Sequence, residues 1–427
     1  MPAVREDQMT RTLPVMCILF GALICGMAPK AAAPHFGPTG YYEIAPASFR
    51  TGTFLKAVDT NGDSFADLVV VTAGSTKISV LFGDGHGKFK NRLDSDIDGI
   101  VYSGGNVAEG DFNSDGRPDL VIAMNKGPLR LMIGDGKGGF AGTSGFERVG
   151  PNPDCPGPLV AADVNRDGKL DIIASQCRGG IGIFLGAGNG AFAPAHIIPV
   201  RDLNRSVDQS MAVADFNRDG IPDIAVATLS GVAVLLGNGD GSFREPVLLA
   251  MDCPLKLVAA DVNRDGNADL VVMPTDPNIK PAPMFGSAGN SVNVYLGDGK
   301  GGFKPLPPFS AVLSSFSADG GFPIHVEVAD LNGDDIPDLV MTKQQYSYQT
   351  DRTEAGFLVL AGRGDGTFAP PSEFRNAQAT RKYPRFTFAL ADVNGDRKPD
   401  LIFLDDRSGS HIGVALNASK TKSAGSL

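Results

Sequence analysis

Seven short segments of this 427-residue chain carry aspartate and asparagine at one fixed spacing. Each segment reads Asp-x-Asn-x-Asp-x-x-x-Asp, and successive copies start 46 to 69 residues apart. Side chains at positions 1, 3, 5 and 9 would present carboxylate and amide oxygens to the interior of a curled loop. Hard cations such as Ca²⁺ take about six to eight oxygen ligands. The pattern therefore predicts seven calcium-binding loops, numbered 1 to 7 in chain order.

The predicted ligands are the four named positions of every loop, and we expect the backbone carbonyl of position 7 to complete each set. With every loop filled, the chain would hold up to seven Ca²⁺ ions. The candidate metal-binding residues are Asp59, Asn61, Asp63, Asp67, Asp111, Asn113, Asp115, Asp119, Asp163, Asn165, Asp167, Asp171, Asp215, Asn217, Asp219, Asp223, Asp261, Asn263, Asp265, Asp269, Asp330, Asn332, Asp334, Asp338, Asp392, Asn394, Asp396 and Asp400.

Two other kinds of calcium site do not fit this pattern. An EF-hand needs flanking helices and a ligand, usually Glu, at position 12, whereas position 12 is apolar in all seven loops. A nonapeptide β-roll would repeat its loops every nine residues, which this chain does not do. A hairpin turn held by other hydrogen bonds is the alternative without metal.

Position 6 of each loop is expected to be glycine, because a sharp bend there requires a positive φ. It is glycine in loops 2 to 5, but Ser64, Asp335 and Arg397 occupy it in loops 1, 6 and 7. These three loops are therefore expected to be strained and to bind metal more weakly.

The segments around each loop predict β-strands. A small apolar alternating segment precedes the loop, as at 211–214, and an apolar strand follows it, as at 223–227. A third strand leads into a glycine-rich turn that ends in Phe, as at 236–243, and a fourth stretch such as 247–249 leads to the next copy. Seven repeats of four antiparallel strands, with no amphipathic segment of helix length, predict an all-β protein that is a seven-bladed β-propeller.

The two ends of the chain are expected to share one blade. The seventh repeat stops near 416–417, before its glycine turn and fourth strand. Residues 36–45 carry the Phe and apolar stretch that resemble 243–249 of the fourth repeat. We therefore predict that 36–45 form the outer strand of the last blade and close the ring, because an open sheet edge would invite aggregation.

The N-terminus has the pattern of a secretory signal. An apolar run spans 13–27, with Arg11 before it and three alanines at 31–33 after it. This pattern predicts a signal peptide over 1–33, and an uncleaved membrane anchor is the alternative. We expect the mature chain to be secreted, periplasmic or at the cell surface, with no membrane span.

Removal of the signal would leave a propeller over 34–418 and a tail over 419–427. Export permits a disulfide, and Cys155 and Cys177 could either pair or remain free. Cys253 is expected to be a buried thiol.

The charge of the chain limits its partners. The formal net charge is −10, and broad nucleic-acid binding needs a basic surface, so we expect no nucleic-acid partner. Each loop would crowd three carboxylates together without metal. Calcium is therefore expected to contribute to the stability of the fold.

The loop followed by Asp-Leu-Val or Asp-Ile-Ala, together with the Leu-Gly-Asn-Gly-Asp-Gly-Ser-Phe turn at 236–243, resembles the FG-GAP/VCBS repeat family. The N-terminal propeller of the integrin α chain belongs to that family. The resemblance covers nearly all of 36–417. It implies a seven-bladed propeller with Ca²⁺ between the first and second strands of each blade. It also implies binding, adhesion or scaffolding more often than catalysis. This chain departs from integrin loops by having Asn at position 3, where they often have Asp.

We therefore expect a monomeric, exported calcium-binding propeller that recognises an extracellular protein or glycan, and no enzyme. A lectin with sugar sites between blades is one alternative, although the absence of Trp disfavours it. A polysaccharide-acting enzyme is another, although the loops already use most aspartates. The longest insertions, at 273–290, 311–323 and 342–356, are expected on the face opposite the loops, and we expect the ligand to bind there.

Overall fold

Seven antiparallel sheets account for the regular structure of the described part of the chain. The computed structural model describes residues 34–43, 53–72, 74–101, 107–125, 128–143, 145–146, 156–176, 180–203, 210–251, 254–274, 291–310, 325–347, 352–379, 387–405 and 411–419. Within these ranges the regular elements are strands, without a helix. The predicted seven-bladed β-propeller is confirmed.

Each blade takes its strands in chain order, and the last blade adds the N-terminal strand. Blade 1 contains β2 (Thr53–Val58), β3 (Asp67–Thr72), β4 (Lys77–Gly83) and β5 (Phe89–Asp96). Blade 2 contains β6 (Val107–Gly110), β7 (Asp119–Ala123), β8 (Leu129–Gly134) and β9 (Phe140–Gly142). Blade 3 contains β10 (Pro156–Ala162), β11 (Asp171–Gln176), β12 (Gly180–Phe184) and β13 (His196–Ile198). Blade 4 contains β14 (Met211–Ala214), β15 (Asp223–Thr228), β16 (Gly231–Leu235) and β17 (Val247–Ala250).

The remaining blades follow the same order. Blade 5 contains β18 (Pro254–Ala260), β19 (Asp269–Pro274), β20 (Ser291–Gly297) and β21 (Phe303–Pro305), and the short β22 (Phe309–Ser310) also pairs with β20. Blade 6 contains β23 (Val326–Ala329), β24 (Asp338–Ser347), β25 (Arg352–Leu360) and β26 (Ser372–Ala379). Blade 7 contains β27 (Phe388–Ala391), β28 (Asp400–Asp405), β29 (His411–Asn417) and β1 (Phe36–Glu43).

The core of the protein lies between blades. The second strand of a blade is apolar on both faces because each face packs against a neighbouring blade, and all six residues of β3 and of β15 are buried. At the contact between blades 1 and 2, Val69 and Ile78 pack with Leu120. A cluster of this kind fills each of the seven contacts around the ring. Hydrophobic burial between sheets therefore stabilises the ring.

The N-terminal strand completes the last blade, as predicted. β1 pairs with β29 from Phe36 opposite Asn417 to Glu43 opposite His411. Residues 44 and 45, which the prediction included, lie outside the described residues. Phe36 is 3% exposed, and its ring centroid lies 5.4 Å from that of Phe374. The N-terminal strand is thus anchored both by its pairing with β29 and by the buried side chain of Phe36.

Blades 7 and 1 make direct contact where the ring closes. Leu55 and Leu68 of blade 1 pack with Ile402 and Ile412 of blade 7. In addition, the backbone N–H of Gly87 donates to the carbonyl of Val393 at 2.9 Å. The first and last blades are therefore joined in the same way as other neighbours.

The insertion predicted at 342–356 is partly a hairpin. Strands β24 and β25 stay paired from Leu339 opposite Leu360 to Ser347 opposite Arg352. It extends at the end of the blade away from loop 6, as expected, because that loop enters β24 at Asp338.

Several sequence predictions concern residues outside the described ranges. These are the signal peptide at 1–33, the insertion at 311–323, most of the insertion at 273–290, and the cysteines Cys155, Cys177 and Cys253. In the part of the chain that the structure describes, no helix is long and apolar enough to cross a membrane.

Candidate metal loops

Every loop joins the first strand of its blade to the second, and its position-9 aspartate is the first residue of that second strand. This aspartate is fully buried in all seven blades. In blade 2, Oδ2 of Asp119 accepts the backbone N–H of Phe112 at 3.1 Å, and Oδ1 accepts that of Gly134 at 2.9 Å. The carboxylate therefore ties its own loop to the end of the third strand.

The same two hydrogen bonds recur in each blade. The position-2 donors to Oδ2 are Thr60, Phe112, Val164, Phe216, Val262, Leu331 and Val393. The donors to Oδ1 are Gly83, Gly134, Gly186, Gly237, Gly297, Gly362 and Asn417. These hydrogen bonds place the loops and the glycine turns on one face of the propeller, which is called the loop face.

In the described part of blade 7 no glycine turn follows the third strand, and Asn417 occupies the position of its first glycine. In blades 1, 2, 3 and 5 a turn glycine donates its N–H to the position-2 carbonyl of the preceding loop, as Gly138 does to Thr60 at 3.1 Å. Nδ2 of Asn417 makes the equivalent bond to the carbonyl of Leu331 at 2.8 Å, while its backbone N–H donates to Asp400 at 2.7 Å. The sequence pattern did not identify this residue, although its place where other blades have glycine was a visible signal.

Positions 1, 3 and 5 organise the interior of the loop. In loop 2, Oδ2 of Asp111 accepts the N–H of Gly116 at 2.8 Å. Oδ1 of Asn113 accepts the N–H of Asp115 at 3.0 Å, and Oδ1 of Asp115 accepts that of Arg117 at 3.0 Å. The loop thus curls around its own side-chain oxygens, as predicted from their alternate spacing.

The acidic side chains of a loop lie close enough to repel one another. Burial raises the pKa of the position-9 aspartate, neighbouring carboxylates raise it further, and backbone hydrogen bonds oppose the rise. The pKa reaches about 6 for Asp119, Asp269 and Asp400 and about 7 for Asp338. In these four blades the repelling neighbours are the position-5 and position-1 aspartates. The pKa is also raised in Asp67, Asp171 and Asp223.

The donor chemistry of the loops suits a hard cation. Each loop offers three carboxylates and one amide oxygen, the ligand type that calcium and magnesium prefer. Among the described residues, no group of three or more His, Cys, Asp or Glu side chains is already arranged as a metal centre. The carboxylate oxygens accept backbone N–H groups instead. An oxygen that accepts one N–H, such as Oδ2 of Asp111, keeps a second lone pair for a cation, whereas Oδ1 of Asp330 already accepts three N–H groups. The residues therefore fit calcium, and binding requires those lone pairs to converge.

The backbone bends twice in each loop, at positions 4 and 6, with positive φ at both. Glycine occupies one of these two positions in every loop, and another residue occupies the other. The non-glycine residues with positive φ are Ser64, Ser114, Arg166, Arg218, Arg264, Asp335 and Arg397, with φ between 58° and 69°. The expectation that only loops 1, 6 and 7 are strained is therefore wrong, because the strain is present in all seven.

Two substitutions in loop 2 should change stability in opposite directions. Ser114 has φ +58°, and Ser114→Gly should stabilise the protein by up to about 1 kcal/mol by relieving left-handed strain. Gly116 has φ +81°, and an added Cβ would meet no atom within 4 Å. Gly116→Ala should therefore cost about 1 kcal/mol through backbone strain alone. Chemical denaturation of both variants measures the two changes in stability. Changes of the same sign would contradict the assignment of backbone strain to Ser114.

A second pair of variants separates the fold role of a loop from its metal role. Asp119→Ala removes the acceptor of two buried N–H groups, so we expect a loss of about 3 kcal/mol even in chelator. Asp115→Ala is the control, because its side chain is exposed. It should stay within about 0.5 kcal/mol of wild type in chelator and lose stability only in calcium. Equal losses for both variants in chelator would contradict this division.

The comparisons with known proteins point to one repeat family. A family model described as "FG-GAP-like repeat" matches residues 59–122, 111–174, 163–226, 215–272 and 284–341, well over half of the chain. The human phosphatidylinositol-glycan-specific phospholipase D is 28% identical over 159 residues, which is 34% of this chain. Its Bos taurus counterpart is 29% identical over 155 residues. The match spans only 18% of either enzyme.

Two solved lectins share the fold. A lectin from Agrocybe aegerita, described for specific recognition of non-reducing terminal N-acetylglucosamine, superposes with a TM-score of 0.53 at 22% identity. It covers 77% of this chain and 81% of its own. A lectin from Burkholderia pseudomallei superposes with a TM-score of 0.59 at 13% identity, covering 87% of this chain and 98% of its own. At these identities the likeness concerns the fold alone.

Proposed function

Because this chain belongs to the FG-GAP-like repeat family, we propose that it is an exported, calcium-stabilised recognition module whose ligand is an extracellular glycan. The observation that carries the recognition proposal is the likeness of the propeller to two lectins over most of its length. Protein ligands and an adhesive role are the alternatives within the same class. We propose that the module acts as a single chain.

Calcium in this proposal is held by the positions 1, 3, 5 and 9 of the seven loops. The support is the mutual repulsion of their carboxylates, together with an all-oxygen donor set. Bound calcium would supply positive charge that offsets this repulsion. The chain itself makes the loops rigid, because the position-9 carboxylate already hydrogen-bonds each loop to the end of its third strand. A recognition surface built on such a ring would lose little entropy on binding.

The phospholipase relatives do not extend this proposal to catalysis. The matched segment is 18% of each enzyme, so the phospholipase activity of the whole protein is not transferred to this chain. Export is proposed from the apolar run at 13–27, which precedes the propeller.

A glycan array tests the proposed function. The exported chain, labelled and applied in calcium, should bind a restricted set of glycans, and those ending in non-reducing N-acetylglucosamine belong on the array. Chain unfolded in chelator and denaturant is the control for non-specific adsorption. An array without any bound glycan would contradict the glycan proposal and leave a protein ligand as the remaining partner.

A further inference from the structure

An open cleft lies on the loop face at the boundary of blades 1 and 2, with a volume of about 560 Å³. It is therefore not on the opposite face, where the sequence led us to expect the ligand. Small-molecule sites usually measure about 300–1,000 Å³. Its walls come from loop 1, the end of β4, the start of β5 and, across the boundary, Lys137 in the glycine turn of blade 2. The cleft is therefore formed only where two blades meet.

One wall of the cleft is an aromatic ring that other blades lack. Phe82 precedes the glycine at the end of the third strand. The equivalent residues in blades 2 to 7 are all aliphatic: Ile133, Leu185, Leu236, Leu296, Ala361 and Leu416. The ring of Phe82 is held in place by blade 2, because a Cβ added to Gly138 would lie 2.4 Å from it. Phe82 is only half-buried, so part of the ring remains available to a ligand.

The polar groups of the cleft carry both signs of charge. Nζ of Lys90 lies 3.3 Å from Oδ2 of Asp84. The other oxygen of Asp84 accepts the backbone N–H groups of His86 at 3.0 Å and Lys88 at 3.1 Å, so its carboxylate is fixed in position. Lys90 itself is 70% exposed. Asn91 adds an amide donor and acceptor.

We propose that this cleft binds one neutral sugar residue of a glycan, an inference that rests on the proposed function. Adjacent sugar hydroxyls can donate to the carboxylate of Asp84 and accept from Lys90 or from a side-chain amide. The apolar C–H face of the sugar ring would lie on Phe82. A strongly anionic or cationic ligand fits less well, because lysine and aspartate side chains both line the walls.

Blade 5 provides the matched control. Its turn has Asp298, whose Oδ1 accepts the backbone N–H groups of Lys300 and Gly302, both at 2.8 Å, just as Asp84 accepts two turn N–H groups. It has Leu296 where blade 1 has Phe82. Asp84→Asn and Asp298→Asn therefore make the same local change, but only the first touches the cleft.

The experiment is a titration of the full exported chain, in calcium, with methyl glycosides of neutral hexoses, of N-acetylhexosamines and of a uronic acid, read by calorimetry or ligand-detected NMR. Phe82→Leu and Asp84→Asn should each weaken binding of the best glycoside about tenfold or more. Asp298→Asn should bind as wild type does. Phe82→Leu should keep the wild-type melting temperature, since it installs the residue type of other blades.

The outcomes separate this inference from the proposed function. If the wild type binds glycans and both cleft variants bind equally well, the cleft is not the site, while glycan recognition stands. If array glycans bind but no free glycoside does, the single-residue sugar site is wrong. A tenfold preference for the uronic acid glycoside would contradict the proposal that the ligand is neutral. If the wild type binds neither glycosides nor array glycans, both proposals are contradicted.

Discussion

Removal of calcium should lower the melting temperature of the purified chain by roughly 10 °C or more. A site saturated at about 100 times its dissociation constant adds about 2.7 kcal/mol to the free energy of unfolding, and the chain has seven candidate loops. Each filled loop would also offset the repulsion from neighbouring carboxylates, which adds to burial in raising the pKa of residues such as Asp338. Calorimetric scans in calcium and in EDTA measure the difference.

Elemental analysis, and a comparison of stability in magnesium with stability in calcium, complete this test. Exported protein washed free of loose ions should retain calcium at up to seven ions per chain, and magnesium should restore less stability than calcium because it demands a tighter, near-octahedral site. The variant Asp115→Ala should bind one ion fewer. Equal melting temperatures in calcium and EDTA, with no calcium retained, would show that hydrogen bonds alone hold the loops.

Weakening the attachment of the N-terminal strand β1 should cause the second large loss of stability. Phe36 is 3% exposed and packs between blades 6 and 7 with Phe357 and Phe403. Phe36→Ala should therefore lower the free energy of unfolding by about 3 kcal/mol or more through cavity formation. The control is Glu43→Ala on the same strand, which is exposed and should change stability by no more than about 0.5 kcal/mol. Urea unfolding of the three proteins gives the comparison.

Deletion of 34–43 tests ring closure itself. It would leave the outer edge of β29 unpaired, and exposed edges promote association. The truncated chain should melt lower and aggregate, and a synthetic peptide of residues 34–43 should restore part of the lost stability. A truncated chain that melts like wild type would contradict the role of β1 in blade 7.

Much of the fold could be predicted because its determinants are local and repeated. The apolar runs such as 223–227 alternate with glycine turns such as 236–243 at a regular interval. A repeated unit that cannot bury its faces alone must stack on its neighbours. The same repetition exposed the missing strand of the seventh repeat and its counterpart at the N-terminus.

Other features could not be predicted because they depend on contacts between distant residues. The role of Asn417 requires Asp400 of its own blade and Leu331 of the neighbouring one. The distribution of strain escaped the sequence pattern because position 4 bends as sharply as position 6, which only backbone geometry reveals. Likewise, the insertion at 342–356 continues as a paired hairpin because β24 and β25 stay in register.

The amino-acid sequence alone determined the seven repeats, the acidic loops and the strand order, because spacing and alternation are properties of neighbouring residues. The tertiary structure determined which backbone groups the loop carboxylates bind and where the cleft between blades 1 and 2 forms. It buried the position-9 aspartates against backbone N–H groups and brought Lys137 across a blade boundary to Phe82 and Asp84. These arrangements depend on how one sheet packs against the next, which no single repeat encodes.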